Sequence, residues 1–169
     1  SVGKSWGAGC ENGIPESMGR DPLTFMLELQ PLAEQGNANA QYKLGTVYDY
    51  GVLRNNKTAL KWYTLAARQG NKNAQNHLGG MYKKGTGVPQ NYKTAVKWYR
   101  LAAEEGCADA QFNLGSMYFS GNGVSKDHQI AREWWRFAAE RGHPGGQKMV
   151  NFSVPWWKFW AFYGWWRFW

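Results

Sequence analysis

One block of residues occurs three times in this chain, and that period restricts the fold more than any other feature. Ala40-Gln41, Leu44-Gly45, Tyr48, Gly51, Ala59, Trp62-Tyr63, Ala66-Ala67 and Gly70 form the first copy. The same order returns as Ala74-Gln75, Leu78-Gly79, Tyr82, Gly85, Ala95, Trp98-Tyr99, Ala102-Ala103 and Gly106. It returns again as Ala110-Gln111, Leu114-Gly115, Tyr118, Gly121, Ala131, Trp134-Trp135, Ala138-Ala139 and Gly142. The closing glycines Gly70, Gly106 and Gly142 stand 36 residues apart. The first unit is shorter, and the loss falls between Gly51 and Ala59, where a loop absorbs it.

Each unit reads as two helices. Ala59, Trp62, Tyr63, Ala66, Ala67 and Gly70 follow the spacing of one helical face. Ala40, Leu44, Val47 and Tyr48 do the same in the preceding segment. Small Ala and Gly side chains let two helices approach, and the large aromatics fill the space alongside. Leu44, Tyr48, Trp62, Leu78, Tyr82, Trp98, Leu114, Tyr118 and Trp134 are therefore expected in the repeat core, with Trp135 beside them. Asn55, Asn91 and Asp127 suit the cap of each second helix, and Asn37 and Asn71 the cap of each first helix. Gly36, Gly70, Gly106 and Gly142 suit the left-handed residue that ends the second helix. Residues 21–35 have the spacing of a further second helix with Pro22 in its first turn, and Pro31 should kink it. His143-Pro144 look like a helix start, and a last helix to about Phe152 would close the stack.

The three blocks resemble the Sel-one-like repeat family, a subclass of tetratricopeptide-type helical repeats. The stretch from Ala74-Gln75 to Gly106, including Gly85-Thr86-Gly87-Val88-Pro89, carries the resemblance best, and it covers about residues 22–151. Cys107 stands where a capping residue is usual, and Val52-Leu53 replace the Gly-Val turn of the first unit. The resemblance implies an all-α, right-handed α/α superhelical solenoid of helix-turn-helix units of about 36 residues. It also implies a concave surface and a role in assembling protein complexes, commonly at membranes or in envelope and secretory compartments. Stacking is what stabilises such units, because none can bury its apolar face alone. Three full units with partial capping units occupy residues 22–151, between an arm of residues 1–21 and a tail of residues 152–169.

No arrangement of residues points to catalysis or to a cofactor. His77, His128 and His143 fall at unrelated positions of different units, and no metal-ligand spacing occurs. Gly3-Lys4-Ser5 lacks the residues a phosphate loop needs before it. Gly85-Thr86-Gly87 and Gly121-Asn122-Gly123 lie in helix–helix turns and follow no strand. Glu104 and Glu105 are adjacent and point to different sides of a helix. Cys10 and Cys107 are too few and too far apart for their pairing to be read from the sequence. The chain carries a formal charge of +8, and residues 22–151 hold 16 Lys/Arg against 9 Asp/Glu. Those charges are spread over the units, as on a solvated surface. An acidic partner or an anionic lipid surface is the functional reading of the same excess. No nucleic-acid motif is present.

The last fourteen residues are of another kind. Trp156, Trp157, Phe159, Trp160, Phe162, Tyr163, Trp165, Trp166, Phe168 and Trp169 are separated only by Lys158, Ala161, Gly164 and Arg167. Ten aromatic side chains amount to roughly 1,500–2,500 Å². That exceeds both the roughly 300–600 Å² apolar patch of a soluble monomer and the roughly 800 Å² one partner gives to a standard interface. Fourteen helical residues reach about 21 Å, short of the roughly 30 Å hydrocarbon core. Trp and Tyr favour the membrane–water interface. These ten residues are the expected contacts with a membrane or a partner.

The expected function is a non-catalytic adaptor or scaffold subunit, membrane-associated or in a periplasmic, envelope or secretory compartment. Its tail would fix it to a membrane interface or a larger membrane-associated complex of protein partners. Two alternatives stand beside it. One is a soluble periplasmic or secreted adaptor whose tail is incidental or engineered. The other is an enzyme or lytic factor acting on envelope material.

Overall fold

In a computed structural model, described for residues 22–51 and 54–152, the chain forms eight α-helices and no strand among those residues. They are α1 (Pro22–Glu34), α2 (Ala38–Tyr50), α3 (Asn56–Arg68), α4 (Lys72–Lys84), α5 (Tyr92–Glu104), α6 (Ala108–Ser120), α7 (His128–Glu140) and α8 (Pro144–Phe152). The arm, Val52, Leu53 and the aromatic tail from residue 153, with all ten of its expected contact residues, lie outside the described residues.

Local chemistry sets the helix bounds. The side chains of Asn37, Asn55, Asn71 and Asn91 each accept a hydrogen bond from the backbone N–H three residues on, at 2.9–3.1 Å. Asp127 accepts two, from Gln129 and Ile130. These bonds satisfy donors that the first turn leaves open. Cys107 holds the same place before α6 with a weaker acceptor, Sγ lying 3.4 Å from the Ala110 nitrogen. At the other ends, Gly36, Gly70, Gly106 and Gly142 take φ between 79° and 95°, the left-handed conformation that closes a helix. α1 begins at Pro22 and continues through Pro31 to Glu34.

The helices pair as α2–α3, α4–α5 and α6–α7, with α1 and α8 completing the row, and each packs on the next in sequence. Among helices two apart, α2 and α4 also touch. With the Asn113–Asn76 bond between α6 and α4, the first helices α2, α4 and α6 share one side of the row, its inner side.

The repeated small residues explain how closely each pair packs. A Cβ on Gly45 would lie 2.5 Å from the Tyr63 ring, and one on Gly79 2.5 Å from the Tyr99 ring. On Gly115 it would lie 2.7 Å from Trp135. Each aromatic ring is therefore seated flat on the glycine of the facing helix. Leu44, Leu78 and Leu114 are buried beside these contacts. Tyr63, Tyr99 and Trp135, the second member of each aromatic pair, are buried too. The first members, Trp62, Trp98 and Trp134, are half-buried at the edge of the clusters, as are Tyr48, Tyr82 and Tyr118.

Two devices join one unit to the next. Gln41, Gln75 and Gln111 donate from Nε2 to the carbonyls of Ala33, Ala67 and Ala103 in the preceding second helix, at 2.9, 3.3 and 3.1 Å. Gly87 and Gly123, both with left-handed φ, press against the backbone of Asn56 and Tyr92 at the start of the preceding unit's second helix. The first unit departs from this scheme. α4 and α6 end on left-handed Gly85 and Gly121, whereas Gly51 after α2 is extended at φ −80°.

Candidate functional site

The inner side carries a cavity of about 410 Å³ to which three successive units contribute. Asp49 and Tyr50 come from the end of α2, and Asn113 from α6. α4 supplies Asn76, His77, Gly80, Met81, Lys83 and Lys84, and Arg54 and Thr86 stand in the flanking loops. Helical spacing explains the contribution of α4. Asn76, Gly80 and Lys83, and likewise His77, Gly80 and Lys84, follow steps of three and four and share one face. Gly80 has no large neighbour, since a Cβ there would lie 3.7 Å from the Tyr99 hydroxyl, and its lack of a side chain leaves the cavity open. Asn113 Nδ2 donates to Asn76 Oδ1 at 3.2 Å, tying α6 to α4 across the floor.

His77 sits among aromatic rings. It stacks on Tyr63 at 4.9 Å and 17°, lies 5.6 Å from Tyr42, and meets the Tyr50 ring edge-on at 6.1 Å. Its Nδ1 is 4.0 Å from Asp49 Oδ2, and its Nε2 is buried with no hydrogen-bond partner among the described residues. Burial, and then the positive charge of Lys84, lower the His77 pKa to about 4. Burial also raises the Asp49 carboxyl above its usual range, against the pull of the Tyr63 hydroxyl and of Arg54 and Lys84. The Tyr63 hydroxyl donates to Asp49 at 3.4 Å, and burial followed by the Asp49 charge pushes its own pKa up. Both members of the Asp49–His77 pair are therefore moved toward their neutral forms, and the pair is a packed polar contact and not a strong ion pair.

The other two histidines serve the helices. His143 Nδ1 accepts the Gly146 N–H at 3.1 Å and caps α8. Its Nε2 approaches Asp109 at 3.1 Å, and its ring stacks on Phe112 at 4.5 Å. An accepting Nδ1 leaves the proton on Nε2, facing the carboxylate. His128 meets Phe119 edge-on at 4.8 Å. Among the described residues no group of His, Cys, Asp and Glu could hold a metal ion. Cys107 is fully buried and disulfide-bonded. The chain's other cysteine is Cys10, outside the described residues. A second cavity, of about 450 Å³, lies between α7 and α8 beside Arg132, Glu133 and Arg136. The exposed Arg136–Glu140 pair near it, at 3.8 Å, is of the solvated kind that contributes little.

The period alone could not identify the inner cavity, because its polar residues do not repeat. The position of His77 is held by Lys43 and Asn113 in the adjoining units, and that of Asp49 by Lys83 and Phe119. The usable signal was those departures on a face that is otherwise regular. The glutamine ties had a sequence signal as well, the invariant Ala-Gln pair at the start of each unit.

The model of the Sel1 repeat matches residues 38–71, 72–107 and 108–143. Among solved structures, a protective antigen of uropathogenic Escherichia coli with an SLR fold superposes with a TM-score of 0.75 at 39% identity, over 79% of this chain and 29% of that one. A Sel1 repeat protein from Oxalobacter formigenes gives 0.76 at 32% identity, over 79% of this chain and 39% of that one. The cysteine-rich protein B of Helicobacter pylori shares the fold, with a TM-score of 0.60 at 19% identity over 73% of this chain and 96% of that one. This chain thus spans well under half the length of the first two. No curated relative matches it. Repeats of this kind generally mediate protein–protein interaction, mainly as non-catalytic scaffolds. With its helix pairs, capping pattern and glycine-seated aromatics matched across three units, the chain belongs to the Sel1 repeat family.

Proposed function

We propose that this protein is a non-catalytic adaptor that takes a protein partner along the inner side of its repeats. Its aromatic tail fixes it to a membrane interface or a membrane-associated assembly. The observation that carries the first part is the inner cavity of about 410 Å³, built from three successive units. A surface shared by neighbouring units recognises length and sequence together, which suits a polypeptide. The second part rests on the ten aromatic residues between Trp156 and Trp169. Fourteen helical residues would reach about 21 Å, short of the roughly 30 Å hydrocarbon core, so the attachment would be interfacial. The disulfide at Cys107 supports an oxidising compartment, periplasmic or secretory. The likeness to a protective antigen supports an accessible envelope location in the same way.

The test compares the full chain with one lacking residues 155–169, purified from the native source with mass spectrometry of associated chains. The full chain is expected in the membrane fraction with a partner in fixed stoichiometry. The shortened chain should keep the partner and lose the membrane. Unchanged partition refutes the anchoring role, and absence of any stoichiometric partner refutes the adaptor role.

A further inference from the structure

Three cations, Arg54, Lys83 and Lys84, surround the inner cavity and share one carboxylate, Asp49. Arg54, Lys83 and Lys84 form no ion pair with any described residue, and Asp49 is the one carboxylate among the cavity's lining residues. That carboxylate already accepts the Tyr63 hydroxyl and faces His77. α4 itself carries three lysines and no acidic residue. The site therefore holds a surplus of two positive charges in a partly enclosed space, where low-dielectric walls strengthen the field.

From this surplus and the shape of the cavity we infer that the groove selects an acidic peptide segment, with its carboxylates against Lys83, Lys84 and Arg54. The inference rests on the adaptor reading for the kind of occupant and adds its chemistry. Size argues against a lone ion. The cavity, about 410 Å³, exceeds by more than tenfold the roughly 30 Å³ that one water takes in the liquid, so a single bound anion would leave it largely unfilled. The Asn76–Asn113 amide pair lies on the floor, where the backbone of an extended chain would run. Charge argues against a nucleic acid. A phosphate backbone places a charge at every step and is answered by many Lys and Arg contacts. Here the surplus is two, enough for a few carboxylates and too small for a continuous run of phosphates.

The test is fluorescence anisotropy with the full chain and a labelled hexaglutamate peptide. Unlabelled hexaglutamine, hexalysine, inorganic phosphate and oligothymidylate serve as competitors. Hexaglutamate is expected to bind and to weaken as salt rises, since solvent-facing charges are screened. Hexaglutamine should not compete, and phosphate should compete only at far higher concentration. Lys83→Glu with Lys84→Glu should weaken hexaglutamate binding by about tenfold or more and turn the preference to hexalysine. Lys83→Arg with Lys84→Arg should retain binding. Circular dichroism verifies that each variant is helical, and both lysines lie at the surface end of α4. The inference is overturned if hexaglutamate does not bind the folded protein, or if hexaglutamine competes equally. It is also overturned if the Glu variants bind as well as the parent, or if oligothymidylate displaces the peptide more effectively than free hexaglutamate. A native partner captured equally by the parent and the Glu variants would leave the adaptor reading intact and remove only the charge selection. Salt-dependent hexaglutamate binding without any native partner would do the reverse.

Discussion

Adjacent glycines in α4 should respond to the same substitution with opposite signs. Gly79 and Gly80 are both helical, and replacing either with Ala removes the backbone freedom that glycine brings to the unfolded chain. In a helix interior that change alone stabilises by roughly 0.5–1 kcal/mol. At Gly80 the new Cβ would meet only the Tyr99 hydroxyl at 3.7 Å, an ordinary contact, so the full gain should appear. At Gly79 it would fall 2.5, 2.6 and 2.9 Å from Cδ1, Cε1 and Cγ of Tyr99, a ring that is 2% exposed and held on every side. Overpacking of this kind costs about 1–3 kcal/mol. The net effect of Gly79→Ala is then a loss of about 1–2 kcal/mol, or a fall of about 2–8 °C in Tm for a chain of this size. The difference between the two variants cancels the propensity term and isolates the steric one. Urea and thermal unfolding followed by circular dichroism measure both. Equal shifts of the same sign would refute the account of why each unit has a glycine beneath its second aromatic. Combining Gly79→Ala with Tyr99→Leu should be less destabilising than the sum of the two single changes, because the clash is then relieved.

Three further outcomes follow from particular side chains. His77, with its pKa lowered to about 4 by burial, binds fewer protons when folded than when unfolded, so stability should fall with pH. The loss is about 2 kcal/mol between pH 7 and pH 5, and urea titrations of the parent and His77→Phe at the two pH values should show it in the parent alone. The raised Asp49 carboxyl acts in the opposite sense. His143→Ala removes the cap of α8 and the contact with Asp109, and hydrogen exchange should speed in α8 by an amount corresponding to about 1 kcal/mol while α4 and α5 are unchanged. Asn71→Ala should cost about 1 kcal/mol through loss of the α4 cap, and more than Asn91→Ala, because Asn71 Nδ2 also donates to Asn39 at 3.0 Å.

The architecture could be read from the sequence because its determinants recur. Asn37, Asn55, Asn71, Asn91 and Asp127 all cap as their positions suggested, and the closing glycines all have the left-handed conformation. A signal seen three times survives the ambiguity that any one instance would carry. Finer packing was less accessible. The periodic face contains both members of each aromatic pair, and only the facing glycine determines that Tyr63, Tyr99 and Trp135 are the buried ones. The inner cavity was harder still. His77 is distant in sequence from Asp49 and Arg54, and all three break the repeat, so aligning the units averages them away. Their meeting depends on how far α2 lies from α4, a distance set by packing and not by any residue pattern.

Glycine does two separable jobs here, and the separation lets the array be treated as a line of coupled elements. Gly45, Gly79 and Gly115 let the helices of one unit close on each other, whereas Gly87 and Gly123 let a turn seat on the unit before it. Enlarging a residue of the first kind lowers the intrinsic stability of one element. Enlarging one of the second kind, such as Gly123 against the Tyr92 carbonyl, weakens the coupling across one junction and leaves the elements on either side intact. The two parameters of a nearest-neighbour model, element and coupling, can therefore be varied independently in one protein. The first unit, whose shorter loop lacks a counterpart of Gly87, marks where a measured coupling should differ from the rest.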